Sequence, residues 1–472
     1  MRNTVDYLTH RLASTQGAVD QIFARRIGQL RAPSSAYAVF DRSGLVYGNA
    51  FGVRGAGDAV PTIDTGYRIA SCTKSFTAAA LLVLRDRGLL SLADTIDKMM
   101  PASPLIGAGP VPPTIGQLAS MAGGLPGDDP WADRQESLSS KGFDALLARG
   151  IRFVRGPGIK FEYSNLGYAM LGKVIEAAAG MPYIEFVTNE LLRPLGLNEI
   201  DYDTTVHATD GLAAGYRRLD GEWIEVGFSR PGAFSPIGGL FATPRALADW
   251  ARWLAAAWDR SDDDEILATS SRREMQTSRT PIEGSVHPRG YGYGLIAEDT
   301  LLHGTVVSHS GGYPGFGAHM RWQVDSGIGI VAMENATYSG PDLPATTALA
   351  TILDETLVPA AALDLWPETL AARATVERLV RQWDPAVAAD LFAENVEFDD
   401  SVEHRRSAIA ELARVAGIGT AEPVPLEQSS PSSTSPAQLA WTIPGATGSL
   451  RCAISLTPLQ PPLVQTIIVR LG

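Results

Sequence analysis

Strand signals stand at both ends of the first 358 residues, with a long helical stretch between them. This order limits the fold more than any other feature of the chain. Near the start, Ala36-Tyr-Ala-Val-Phe40, the turn Asp41-Arg-Ser-Gly44 and Leu45-Val-Tyr-Gly48 read as a β-hairpin preceded by helical periodicity over 5–27. Near the end, strands are expected over 305–309, 319–324 and 328–333, closed by a helix over 343–356. Residues 114–254 read as helical segments broken by Gly/Pro loops, and Thr243-Pro244 marks a clear helix start. A sheet must then be assembled from distant parts of the chain around a helical lobe. The junction of two such parts is where clefts for small ligands tend to form.

The longest apolar helix signal begins Ser71-Cys-Thr-Lys74-Ser-Phe76 and runs to Leu84, with Gly88 as its stop. Residues three apart share a helical face, so Ser71 and Lys74 are neighbours there. A hydroxyl needs an adjacent base to become a nucleophile, and an amine serves only when uncharged. The helix N-terminus and the apolar surroundings both disfavour the ammonium form of Lys74. Only five lysines occur in the whole chain, at 74, 98, 141, 160 and 173, and only Lys74 has a serine three residues before it.

The remaining bulk properties exclude several classes. A net charge of -13 argues against nucleic-acid and anionic-membrane partners, which require a positive field. No run of apolar residues is long enough for a membrane-spanning helix, and the first ten residues lack the apolar core of a secretory signal. The expectation is a cytoplasmic protein. The two cysteines, Cys72 and Cys452, lie far apart and read as unpaired buried groups. No two-histidine helix motif or cysteine pair suggests zinc, and His303 and His319 read as ordinary strand-flanking residues. No metal or organic cofactor is expected. No Gly-x-Ser-x-Gly elbow is present to suggest an α/β-hydrolase.

Two further motifs complete a candidate active site. Phe161-Glu-Tyr-Ser-Asn-Leu-Gly-Tyr168 places Tyr163 and Asn165 at the start of another apolar helix. A phenol close to an ammonium ionises more easily and can relay protons. Val306-Val-Ser-His-Ser-Gly-Gly-Tyr313 reads as a strand ending in His309-Ser310-Gly311, whose glycines let backbone amides approach a substrate carbonyl. The acidic segment Gly127-Asp-Asp-Pro-Trp-Ala-Asp-Arg134 reads first as a solvated loop. Its alternative reading is a cleft rim whose Asp128, Asp129 or Asp133 attracts a substrate ammonium.

Ser-x-x-Lys, Tyr-x-Asn and a late His-x-Gly, in that order, resemble the serine β-lactamase and penicillin-binding superfamily, class C-like branch (peptidase family S12). That branch includes D-aminopeptidases, amidases and esterases. Tyr67-Arg-Ile-Ala-Ser71, Thr114-Ile-Gly-Gln-Leu-Ala-Ser120, Leu192-Arg-Pro-Leu-Gly-Leu197 and Gly238-Gly-Leu-Phe-Ala-Thr-Pro244 support the resemblance across residues 15–358. It implies an antiparallel sheet flanked by helices plus an all-helical lobe. It also implies that Ser71 forms an acyl-enzyme, with Lys74 and Tyr163 as acid/base groups. The backbone amides of Ser71 and Gly312 would form an oxyanion hole, and Asn165, His309, Ser310 and Gly311 would bind substrate, Asn165 through an acyl-side amide or the lysine. His309 stands where the family often has lysine. A largely neutral imidazole is less suited to a substrate carboxylate, which tilts the expectation toward amides, amino-terminal D-residues or esters.

The expected division is a hydrolase domain over 1–358, a linker over 359–367 and a small α+β module over 368–472. The run 389–399 resembles the opening of NTF2-like cone domains. The expected partner is a small-molecule or short-peptide substrate, and oligomeric state stays open. Acyl transfer to an alcohol or amine, and a non-catalytic sensor on the same fold, stand as rivals to hydrolysis.

Overall fold

A computed structural model describes residues 12–471, except 56–58, 101–102, 108, 110, 204–210, 260–264, 286, 301, 357–364, 421–424, 427–428, 430 and 434. The start of the N-terminal helix expected over 5–27, and most of the linker expected over 359–367, lie outside the described residues. The chain divides into two compact units. One contains 1–300 and 305–352, the other 301–304 and 353–472.

In the first unit, helix α1 (Gln16–Gly28) leads into the hairpin β1 (Ser34–Asp41) and β2 (Gly44–Gly52). Strands β3 (Thr280–Pro281), β4 (Arg289–Tyr291), β5 (Ile296–Thr300), β6 (Gly304–Tyr313), β7 (Phe316–Gln323) and β8 (Gly329–Glu334) come more than 200 residues later in the sequence. They join the hairpin in one eight-stranded sheet of order β3-β4-β5-β6-β7-β8-β1-β2. The closure between distant segments is antiparallel, with Ala36 opposite Met333 and Ala38 opposite Val331. β1 and β8 read as near-continuous apolar runs because nearly every residue of each is buried.

Helix α2 (Thr73–Asp86) is the hub of the core, buried continuously from Thr73 to Leu84. Phe76 stacks on Trp250 at 3.9 Å between ring centroids, and the Trp250 indole donates to Ser75 Oγ at 2.9 Å. Helix α3 (Asn165–Ala179) packs beside it and ends at Gly180, whose φ of 68° suits the left-handed cap. Helix α4 (Pro244–Ala255) begins where the sequence indicates, with Thr243 Oγ1 accepting from the Ala246 N–H and proline in the first turn. Helix α5 (Asp342–Thr356) closes the segment.

Not all of the stretch 114–254 is helix. Gly215–Leu219 and Glu222–Val226 form a two-stranded hairpin around Asp220-Gly221, which is exposed and polar enough to lack a strand's apolar alternation.

In the second unit, helices α6 (Pro367–Arg381), α7 (Pro385–Leu391), α8 (Glu394–Asp399) and α9 (Val402–Ala416) precede the meander β9 (Gln438–Pro444), β10 (Ser449–Leu456) and β11 (Val464–Leu471). Its core contains Val376, Leu379, Trp441, Ile443, Leu450, Cys452 and Ile454. Most of the run 389–399 falls in the two short helices α7 and α8. Both cysteines are free and buried.

Candidate active site

Ser71 lies in a 3₁₀ turn (Ala70–Cys72) that runs directly into α2. Ala70, just before it, has a φ of 48°, a left-handed conformation that costs an alanine energy and is typical of functional sites. One helical turn on, Lys74 Nζ sits 2.9 Å from Ser71 Oγ and 2.9 Å from the Ile237 carbonyl oxygen. Lys74 is fully buried, and no ion pair joins it to a carboxylate among the described residues. Burial lowers its pKa from the ordinary 10.5 to about 8, against the opposing pull of Asp133, Asp129 and Asp128. The expected direction therefore holds.

Tyr163 enters from the residues ahead of α3. Its ring centroid lies 5.0 Å from Lys74 Nζ, and its side chain hydrogen-bonds with Ser71. The expectation that its phenol ionises easily does not hold. Burial, then the negative field of Asp129, push it well above 10, while the Ser71 bond pulls the other way. Tyr163 is thus a neutral hydroxyl, able to donate and accept in one relay.

The strand carrying His309 continues through Gly311 and Gly312 to Tyr313 instead of ending at the expected position. Alternation along β6 sorts its residues. Gly311 lies where a Cβ would press on the Ile69 carbonyl and come within 2.9 Å of the Ser71 N. Only glycine lets this strand meet the nucleophile's backbone so closely. At Gly312, a Cβ would come 2.5 Å from Cδ1 of Tyr338.

His309 is buried on the Gly311 side of the strand. Its Nδ1–H donates to the Ser310 carbonyl at 2.7 Å, because a carbonyl can only accept. Nε2 therefore accepts from the Tyr291 hydroxyl at 2.9 Å. Burial, then the charge of Lys74, lower its pKa to about 3. With both nitrogens committed to protein, the imidazole is a neutral support for the strand. Ser310 stands differently from His309. It alternates to the opposite face, where its Oγ lies 2.8 Å from His319 Nδ1.

Asn165 does not reach the lysine. Its Nδ2 donates to Asp129, and its Oδ1, on a fully buried side chain, has no partner among the described residues. The acidic loop is not simply solvated. Asp128 accepts from the Asn165 N–H at 2.7 Å and the Leu166 N–H at 2.8 Å, so it caps α3. Asp133 is 4% exposed and accepts from the Tyr338 hydroxyl at 2.7 Å. Burial raises its pKa to about 6. Tyr291, the last residue of β4, and Tyr338, in the turn after β8, are site residues that no motif flagged.

Residues 19–354 match the family model described as Beta-lactamase. Penicillin-binding protein 4* of Bacillus subtilis is 25% identical over 309 residues, covering 62% of this chain and 65% of that protein. The chain spans just under two thirds of the length of the curated relatives it matches. Among solved structures, the octameric penicillin-binding protein homologue from Pyrococcus abyssi is similar with a TM-score of 0.65. That likeness has 22% identity and covers 93% of this chain and 96% of that one. A D-stereospecific amidohydrolase from Streptomyces sp. has a TM-score of 0.58 at 23% identity, covering 71% of this chain and 98% of that one. These likenesses place the fold.

Proposed function

The chain belongs to the Beta-lactamase family, and from that premise we propose that it is a serine hydrolase cleaving amide or ester bonds of small substrates through an acyl-enzyme on Ser71. The observation that carries this reading is the 2.9 Å approach of a fully buried lysine, unpaired with any carboxylate among the described residues, to the Ser71 hydroxyl. In acylation, Ser71 Oγ attacks the substrate carbonyl carbon and its proton passes to Lys74 Nζ. The tetrahedral oxygen is held by the N–H groups of Ser71 and Gly312. Tyr163 relays the proton to the departing amine or alcohol as the carbonyl reforms. A water molecule then attacks the ester on Ser71 and gives its proton to the same Lys74–Tyr163 pair. The acid leaves and the Ser71 hydroxyl is restored.

A substrate carboxylate finds no cation at His309, which favours neutral or amine-bearing acyl groups over acidic ones. The description of the Streptomyces neighbour as an amidohydrolase supports the amide side of the reading. Residues 368–472 serve as an accessory module outside the chemistry, and the protein acts in the cytoplasm. Among the described residues no helix is long and apolar enough to cross a membrane.

The test is release of p-nitrophenol from short-chain esters, with labelling by a fluorophosphonate, in the wild type and in Ser71→Ala. Loss of both in the variant is expected. Labelling that persists in Ser71→Ala would place the nucleophile elsewhere and end this reading.

A further inference from the structure

The Gly312 N–H is placed by its register in the β6–β7 ladder. At the far end of this pair the Val324 N–H donates to the Thr305 carbonyl at 2.9 Å. Hydrogen-bonded and non-hydrogen-bonded pairs alternate from there. Gly312, opposite Gly317, therefore falls in a non-hydrogen-bonded pair, and its N–H points away from β7. The segment 335–341, after β8, lies against this end of the hairpin. Tyr338 fills the space that a Cβ on Gly312 would need, while Ser339 and Pro341 fill that of a Cβ on Gly317. Two opposed glycines thus form the seat of the segment. Thr337 braces the turn between the strands. Its Oγ1 accepts from the Gly315 N–H at 2.8 Å and donates to the Tyr216 carbonyl at 2.9 Å.

Tyr338 is the strained member of this brace. Its φ of 48° is left-handed, a conformation that a bulky residue keeps only where its surroundings over-determine it. With 45% of the residue exposed, burial alone does not hold it there. Two contacts do, the ring on Gly312 and the hydroxyl donating to the buried Asp133 carboxylate at 2.7 Å. We propose that Tyr338 is a positioning residue: seated on Gly312 and tied to Asp133, it aims the Gly312 N–H at the oxygen that becomes negative in the transition state. The role rests on the acyl-enzyme reading of Ser71 and adds to it a residue that acts through Gly312. A neutral ground-state carbonyl gains little from exact aim and the oxyanion gains much. The effect therefore falls on kcat and spares KM.

The test uses the full chain and p-nitrophenyl acetate at pH 9. That lies above the value of about 8 for Lys74, so a change in the field of Asp133 leaves the base uncharged, and Tyr338, pushed up to about 12, keeps its proton. Fluorophosphonate labelling run to completion counts the intact sites. Tyr338→Gly relieves the strain and empties the seat. It should lower kcat per site by about 100-fold, hold KM within about twofold, and leave the melting temperature equal or higher. Tyr338→Phe keeps the ring and loses the hydroxyl, so kcat should fall about tenfold. Asp133→Asn still offers Tyr338 an oxygen and should stay within about threefold, while Asp133→Leu offers none and should match Tyr338→Phe. Tyr338→Phe carries the test if Tyr338→Gly or Asp133→Leu fails to fold. With Ser71-dependent release intact in the wild type, unchanged kcat in Tyr338→Phe would overturn the positioning role alone. So would a loss in Tyr338→Gly that merely tracks a lower melting temperature. No Ser71-dependent release from the wild type would overturn the acyl-enzyme reading and the positioning role with it.

Discussion

Two buried cations a few residues apart in sequence meet opposite surroundings. The Arg68 guanidinium donates to Glu136, to Ser229 Oγ at 2.8 Å and to the Gly238 carbonyl at 3.0 Å, and its charge lies 4.2 Å from the Tyr313 ring centroid. Glu136 in turn accepts from Tyr313 at 2.7 Å and Ser235 at 3.2 Å. Among the described residues, Lys74 has one hydroxyl and one carbonyl oxygen within hydrogen-bond reach. A buried charge with a complete set of partners is fixed structure. A buried charge without an ion-pair partner is poised to lose its proton, which is what a base requires.

The comparison breaks most sharply at Lys74. Lys74→Met should lower turnover by about 10⁴-fold. It should also raise the melting temperature at pH 7, because it removes a buried charge with no ion-pair partner among the described residues. A lower melting temperature, measured by thermal unfolding, would mean that the ammonium holds the fold together as Arg68 does. Glu136→Gln should do the reverse. Leaving the Arg68 charge unpaired should cost about 3–5 kcal/mol of stability, while the folded fraction keeps its turnover within a few-fold.

The sequence reveals the first of these cations and hides the second, for a physical reason. Ser71 and Lys74 are three apart on one helix, so their contact is written in local spacing. Arg68 and Glu136 are joined across 68 residues by folding, and nothing near Glu136 in the sequence marks it as buried. The same divide runs through the fold. The β1–β2 hairpin and the strands of β6 to β8 carry their own apolar pattern. The hairpin at Asp220-Gly221 has a correct turn but strands exposed on both faces, so no period of two survives. Asp133 was legible as a candidate, but its partner Tyr338 lies 205 residues away. His309 was legible as a position, while its inertness depends on Tyr291, which only the sheet brings to it.

A pH series sharpens the contrast. Lys74 drops from 10.5 to about 8 on folding, so between these values the unfolded chain holds a proton that the folded chain has released. Stability therefore rises with pH across this window, by at most about 3 kcal/mol, and the rise should vanish in Lys74→Met. Over the same groups, kcat/KM for an uncharged ester should climb about tenfold per unit up to pH 8 and then level. A wild-type unfolding free energy that is flat from pH 8 to 10.5 would show that the amine is not shifted.

The smallest change probes the paired network at its nearest approach to the chemistry. Tyr313 directly follows Gly312, and its ring comes within 3.0 Å of where a Cβ on Gly238 would lie. Tyr313→Phe keeps that ring over Arg68 and removes only the hydroxyl that donates to Glu136. Glu136 retains Arg68 and Ser235, so the loss should be about 1 kcal/mol in stability, with kcat changed less than twofold. Turnover falling tenfold at an unchanged melting temperature would place the Arg68–Glu136 network inside the catalytic machinery. The separation between a cation that holds the fold and a cation that does chemistry would then dissolve, because the strand bearing Gly312 would be tuned through Tyr313.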